Sequence, residues 1–240
     1  MRFSRLSFPV FLFLLTPSLS AQTVPQGFRI STFFSNLSQP TQITFDSRGR
    51  LWVAQRSNGI VVIEDTNGDG VGDIRRSFGP AFAELLGIFL KGDTVYASSR
   101  GRVITLIDAN RDGVPESAQD IITGLPAGRH QADGLAIGSD NKLYIGQGSV
   151  DDRGESGNSP PLQASILQAN WDGSGLRVYA RGLRNPYDLA FHPITGRLFA
   201  TDNGRDTPSS GVPEELNYIV DGRHYGWPPC WGNGLGTNCA

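Results

Sequence analysis

Short apolar runs, broken by glycine, asparagine or aspartate, recur along most of this chain, and no long segment carries the period of an amphipathic helix. Four segments share one layout: a short apolar strand, a polar turn, and a second strand with an aromatic residue inside it. These aromatic residues, Trp52, Tyr96, Tyr144 and Phe199, follow one another at roughly 44, 48 and 55 residues, a spacing typical of a blade repeat. The strand pairs are predicted at 42–45 with 51–54, 86–89 with 94–97, 134–137 with 143–146, and 188–191 with 198–201.

The repeat predicts how these strands assemble. In the first two units the apolar pattern continues into a third strand, at 59–63 and 102–107. One small antiparallel sheet cannot bury both of its apolar faces, whereas sheets packed radially cover them. A β-sandwich is the alternative, but its strands would not recur in one order at one spacing. We therefore predict an all-β fold, a β-propeller of the six-bladed type that is truncated, because six blades of about 40–45 residues exceed the chain and only about four to five fit.

The first residues predict export. Arg2 and Arg5 precede an apolar run at 8–15, and small residues up to Ala21 offer a cleavage site. We expect a signal peptide at 1–21, then a partial propeller at 22–240, secreted or periplasmic, with no membrane span after cleavage. A membrane anchor is the alternative for this segment.

Charge and cysteine content narrow the possible functions. With 21 basic and 23 acidic residues the formal net charge is -2, and no basic cluster indicates a nucleic-acid partner. Cys230 and Cys239 stand close together. In an exported protein this predicts a local disulfide.

Three loop segments place polar residues where strands begin or end. They contain the sequence His-Gln at 130–131 before the third unit, Gly-Leu-Arg-Asn-Pro at 182–186 before the fourth, and Asp-Asn-Gly at 202–204, followed by Glu-Leu-Asn at 215–217 and Tyr-Gly-Trp-Pro at 225–228. Together and in this order they resemble the pyrroloquinoline quinone (PQQ)-dependent soluble glucose/sorbosone dehydrogenases. The resemblance covers about 127–228, whereas the N-terminal half resembles that family only through its repeat.

The resemblance implies PQQ and Ca²⁺ above the central channel of the propeller, a sugar or polyol substrate, and an external electron acceptor. It implies that His130 is the general base while hydride passes from the substrate carbon to the quinone. Arg184 and Asn185 would then bind the quinone oxygen, with Asn203 beside the cofactor. Main-chain oxygens of Gly204 and Arg205 would bind Ca²⁺.

Two features depart from this family and leave alternatives open. Arg129 replaces the acidic residue that precedes the base in the better-known sugar oxidisers, and Phe-Ala-Glu at 82–84 replaces an expected amide residue. His130 can therefore be a structural loop residue, and the Arg-Asn-Pro sequence at 184–186 a simple blade-entry turn. A non-catalytic propeller that binds a protein or glycan is the alternative function. A calcium-dependent lactonase is disfavoured because no set of converging carboxylates can be assembled.

A second calcium site is predicted from a run of alternating oxygen donors, Asp65, Asn67, Asp69 and Asp73. A similar run lies at 108–116. Neither is followed by a helix, and both end a predicted third strand. A plain hairpin turn rich in Asx residues is therefore the alternative for each.

Overall fold

The computed structural model describes residues 23–206, 212–232, 234–236 and 239. The chain divides into two compact units, Met1–Thr32 and Phe33–Ala240. In the first unit, residues 23–32 are described and contain no strand. The signal peptide predicted at 1–21 lies outside the described residues. Within the described residues, no helix is long and apolar enough to cross a membrane.

Within the described residues of the second unit there are five antiparallel sheets, and we call the four larger ones blades one to four; each blade keeps its strands in chain order. Blade one comprises β1 (Pro40–Phe45), β2 (Leu51–Gln55), β3 (Gly59–Glu64) and β4 (Ile74–Phe78). Blade two comprises β5 (Gly87–Lys91), β6 (Thr94–Ser99), β7 (Arg102–Ile107) and β8 (Ser117–Thr123). Blade three comprises β9 (Ala132–Ile137), β10 (Leu143–Gln147), β11 (Ser165–Ala169) and β12 (Arg177–Arg181). Blade four comprises β13 (Pro186–Phe191), β14 (Leu198–Asp202) and β15 (Glu215–Ile219), and a hairpin of β16 (Cys230–Trp231) and β17 (Leu235–Gly236) follows it.

Apolar side chains pack between successive blades and form three buried cores. In the first three blades the aromatic residue of the second strand faces the next blade. Trp52 packs against blade two, Tyr96 against blade three, and Tyr144 against blade four. The fourth, Phe199, is half-buried and contacts Tyr218 of its own blade, with ring centroids 5.6 Å apart. The repeated aromatic residue is therefore the contact between one blade and the next.

The first strands of the four blades surround a central cavity of about 330 Å³. Neighbouring first strands lie against one another, β1 with β5, β5 with β9, and β9 with β13. The side chain of Gln42 joins three blades, because it accepts a hydrogen bond from the Ile88 N–H at 2.5 Å and donates to Asp188 Oδ1 at 2.6 Å.

The structure confirms the predicted all-β propeller architecture and the predicted strand pairs, each within a few residues of its expected bounds. The third strands predicted in the first two units are β3 and β7. The predicted disulfide between Cys230 and Cys239 is also present. Radial packing around a cavity excludes the sandwich alternative.

Candidate active site at the entry face

One end of the propeller, which we call the entry face, is where second strands end and the chain enters each first strand. The segment at 124–131 leads into β9 and the turn at 182–185 leads into β13. Each is anchored by a buried leucine, Leu125 between blades two and three and Leu183 between blades three and four. These anchors hold the polar residues of both segments at the same face.

His130 lies half-buried in the first of these segments. Its Nδ1 is 2.9 Å from the carbonyl oxygen of Ser149, which also accepts the His130 backbone N–H at 3.2 Å. Because a carbonyl only accepts, Nδ1 carries the proton in the neutral ring and Nε2 is left as an acceptor. Burial, and then the nearby positive charge of Arg184, lower the pKa of His130 from 6.5 to about 4. The imidazole is therefore neutral at pH 7 and has the tautomer that a general base requires.

Arg184 is the cation of this site, and its side chain is only 3% exposed. Its Nε donates to the carbonyl of Asp152 at 3.2 Å and its Nη2 to the Asp152 carboxylate at 2.5 Å. Its Nη1 donates to the carbonyl of Asn203 at 3.0 Å, and Asp206 lies 3.5 Å from Nη2. Guanidinium has five N–H donors, and three of them donate to these oxygens while Nη2 also pairs with Asp206.

The loop after β10 brings His130 and the Arg184 turn together. The Ser149 N–H donates to the Arg184 carbonyl at 2.7 Å, while the Ser149 carbonyl holds His130. Gly148 permits this approach, because a Cβ there would lie 2.4 Å from His130 Cβ and 2.5 Å from Asn185 Oδ1. The structure therefore places His130, Arg184 and Asn185 around two residues of one loop.

The other predicted cofactor and metal residues lie just beyond this cluster. Asn203 donates its N–H to the Asn185 carbonyl at 3.1 Å and accepts from Arg184. The Gly204 N–H donates to Glu214 Oε2 at 2.8 Å. The guanidinium of Arg205 stacks 4.2 Å above the Trp231 ring.

The two residues that depart from the resembled family form ion pairs. Arg129 pairs with Asp206, its Nε donating at 2.9 Å. Glu84, in place of an amide residue, pairs with Arg56 at 3.2 Å and Arg100 at 2.6 Å. All three ion pairs are partly exposed and contribute little stability, but the charges of Arg129 and Asp206 act on His130.

Two buried carboxylates at the entry face lie in or beside the predicted loop segments, but the sequence alone assigned them no role. Asp133, near the start of β9, is 2% exposed, and burial raises its pKa well above the ordinary value. Its Oδ2 and the Asn185 Oδ1 are buried without a hydrogen-bond partner among the described residues, and both lie within 3.4 Å of the Gly148 Cβ position. Asp202 accepts the N–H groups of Arg184 and Asn185, yet burial still raises its pKa to about 7. The available signal was an acidic residue inside an apolar strand, which is rarely buried without a role.

The run predicted as a second calcium site forms a turn that binds its own backbone. Asp65 accepts the N–H groups of Gly68 and Gly70 at 2.7 and 2.9 Å, and Asp73 accepts that of Thr66 at 2.7 Å. Within the described part of the chain, carboxylates converge at ligand distance only in the similar run, as Asp108, Asp112 and Glu116. The site at Asp65, Asn67, Asp69 and Asp73 remains a prediction.

Comparison with known proteins identifies the relatives of this chain. It is 26% identical to quinoprotein glucose dehydrogenase B of Acinetobacter calcoaceticus over 273 residues, which cover 89% of this chain and 55% of that protein. It is 27% identical to aldose sugar dehydrogenase YliI of Escherichia coli over 122 residues, 45% of this chain and 32% of that protein. The PQQ-bound aldose sugar dehydrogenase of Streptomyces coelicolor superposes with a TM-score of 0.71 at 28% identity, over 87% of this chain and 68% of that one. The chain thus spans about half the length of the first curated relatives it matches, 55% and 58%.

A further solved structure agrees in fold. The holo PQQ domain of pyranose dehydrogenase from Coprinopsis cinerea superposes with a TM-score of 0.74 at 20% identity, over 87% of this chain and 58% of that one. The family described as "Domain of unknown function (DUF7133)" matches residues 15–226. This chain therefore belongs to the DUF7133 family, and its homologues are the quinoprotein sugar dehydrogenases that its loop motifs resemble.

Proposed function

We propose that this chain acts in the PQQ-dependent oxidation of a sugar, polyol or sugar aldehyde, with His130 as the general base. The observation that carries the proposal is the convergence of a neutral imidazole, a buried guanidinium and an amide at the entry face. Its relatives, named as sugar dehydrogenases, support this class of reaction. The predicted signal peptide supports a periplasmic or secreted location.

The donor set of the cluster fits the quinone end of PQQ. Three Arg184 N–H donors bind protein oxygens and Nη2 also pairs with Asp206, which leaves the second N–H of Nη1, and the Asn185 side chain carries an NH₂ group. Quinone oxygens accept hydrogen bonds, so this Arg184 N–H and the NH₂ group of the Asn185 amide would donate to them. When bound, PQQ supplies a two-electron acceptor for the hydride that leaves the substrate carbon.

The residues of this chain would handle the proton and the charge. His130 Nε2 would accept the proton of the substrate hydroxyl, while the Ser149 carbonyl keeps Nδ1–H in place and so fixes the ring orientation. Arg184 would provide positive charge at the quinone oxygen, where negative charge would develop. Its guanidinium would not need to reorient, because its carbonyl and guanidinium are already held by hydrogen bonds. The buried position of Arg184 strengthens this effect.

Calcium is the second cofactor in this proposal. The carbonyl oxygens of Gly204 and Arg205 are the ligand type that Ca²⁺ prefers. The Glu214 carboxylate lies next to them and would add negative charge to the same place. The chemistry of this donor set fits a hard divalent cation.

Reconstitution tests the proposal. The purified chain is mixed with PQQ and Ca²⁺, cofactor binding is measured by absorbance, and dye reduction is followed with a panel of aldoses and polyols. His130→Ala is expected to lower the rate by about 10²-fold or more while PQQ still binds. The matched control is His192→Asn, because His192 is an exposed turn residue whose Nδ1 accepts the N–H groups of Ile194 and Thr195. Absence of PQQ binding, or equal rates for the wild type and His130→Ala, would refute the redox assignment.

A specific observation favours the second candidate, a non-catalytic propeller that binds a protein or glycan at the entry face. Arg184 is already neutralised by Asp152 and Asp206, and Arg129 places an exposed cation beside His130. A chain that binds glycans by calorimetry but neither PQQ nor Ca²⁺ would establish this function instead.

A further inference from the structure

One structural position repeats in all four blades. The last residue of each second strand is polar and buried, and its side chain hydrogen-bonds the main chain of the segment that leads into the same blade. In the first three blades these residues are neutral: Gln55 accepts the Ser38 N–H at 2.7 Å, Ser99 donates to the Ala83 carbonyl at 2.6 Å, and Gln147 donates to the Pro126 carbonyl at 3.1 Å.

In blade four this position is occupied by a carboxylate, Asp202, which makes two such bonds. Its Oδ2 accepts the Arg184 N–H at 3.0 Å and its Oδ1 accepts the Asn185 N–H at 2.6 Å. A carboxyl group has two oxygens to place toward two consecutive amides, whereas an asparagine would turn its NH₂ group toward one of them. Burying a charge is unfavourable unless hydrogen bonds compensate it. The two bonds from the Arg184 and Asn185 N–H groups provide this compensation for Asp202.

The hydrogen bonds of Asp202 are linked to the imidazole of His130 through the carbonyl groups of Arg184 and Ser149. They hold the backbone of the Arg184–Asn185 turn, and the Arg184 carbonyl accepts the Ser149 N–H at 2.7 Å. The Ser149 carbonyl in turn orients the His130 ring. A displacement of the turn would therefore move the guanidinium and the imidazole relative to each other.

We infer that Asp202 is a positioning residue of the candidate site, which sets the separation of Arg184 and His130 by holding two consecutive backbone N–H groups. The consequence for oxidation rests on the proposed function, whereas the positional role does not. Asp202 contacts the backbone of the turn. Of its counterparts, Gln55 and Ser99 hold entry segments that carry none of the predicted site residues, whereas Gln147 holds the segment that carries His130.

The test uses Asp202→Asn with Ser99→Ala as the matched control, which removes the equivalent bond in blade two. The imidazole signals of the three histidines are titrated by NMR, and hydrogen exchange is measured at the amides of Arg184 and Asn185. In Asp202→Asn the pKa of His130 should change, because Arg184, whose charge lowers it, moves with the turn, and exchange at the amide that loses its acceptor should accelerate about tenfold or more. Ser99→Ala should change neither.

Equal His130 titration in Asp202→Asn and Ser99→Ala would overturn the inference. If Asp202→Asn does not fold, Asp202→Ser repeats the measurement with the residue that blade two uses, and the same shift is expected. Because neither measurement needs cofactor, the two ideas fail separately. A shifted His130 in a chain that binds no PQQ would uphold the positioning role and refute the redox function.

Discussion

The sharpest test of the site geometry is a single methyl group added at Gly148. A Cβ there would lie 2.4 Å from His130 Cβ and 2.5 Å from Asn185 Oδ1, whereas ordinary van der Waals contact begins near 3.4 Å. Each neighbour must therefore move by about 1 Å, and overpacking of this kind costs about 1–3 kcal/mol. For a domain of this size that corresponds to a melting temperature about 2–12 °C lower. A displacement of about 1 Å in a catalytic group also lowers turnover by up to about 10²-fold.

Gly148→Ala is compared with Gly72→Ala, whose Cβ would lie 2.4 Å from the Ile63 side chain in a core that contains none of the predicted catalytic residues. Thermal unfolding should show a loss of stability in both variants. NMR titration should show a changed His130 pKa only in Gly148→Ala, because only there do the imidazole and its neighbours shift. An unperturbed His130 in a folded Gly148→Ala protein would refute the close approach of the three segments.

Two further predictions concern stability. Because burial raises the pKa of Asp133, the protonated acid favours the fold, so its contribution is full below the unfolded pKa of about 3.9 and is lost as pH rises toward the folded value. Urea unfolding from pH 4 upward should therefore show a decline in wild-type stability relative to Asp133→Asn, and a constant difference between the two would contradict it. Reduction of the disulfide between Cys230 and Cys239, nine residues apart, should lower stability by about 2–3 kcal/mol by the loop-closure estimate. Thermal unfolding with and without reductant measures this effect, and it should be absent from a Cys230→Ser/Cys239→Ser variant.

Much of the fold could be predicted from sequence, because blades are local. A strand, a turn and a second strand lie within about 15–20 residues of chain, and their apolar alternation is visible directly. An aromatic residue in each second strand marked the repeat, and in the first three blades, as with Trp52 and Tyr144, it packs between blades. The contacts between neighbouring strands of one blade follow from strand pairing alone.

The candidate site could be predicted only in part. His130, Arg184 and Asn185 were found because they lie in recognisable segments before strands, and the propeller places such segments at one face. The contacts that define their chemistry come from elsewhere in the chain. Asp152 and Asp206, which neutralise Arg184, lie 32 residues before it and 22 after it, in loops with no local periodicity that would indicate their position.

The sequence by itself determined the secondary structure, the repeat, the propeller and the three candidate side chains, since periodicity and turn chemistry act over short distances. Only the tertiary structure decided the state of the site. The groups that other blades bring within a few ångströms decide three things. They decide whether the His130 imidazole is neutral, whether the Arg184 guanidinium is already paired, and whether the Asp133 carboxylate is buried. Electrostatic and desolvation energies fall off over that distance, and pairwise proximity across distant segments is not encoded in any local pattern.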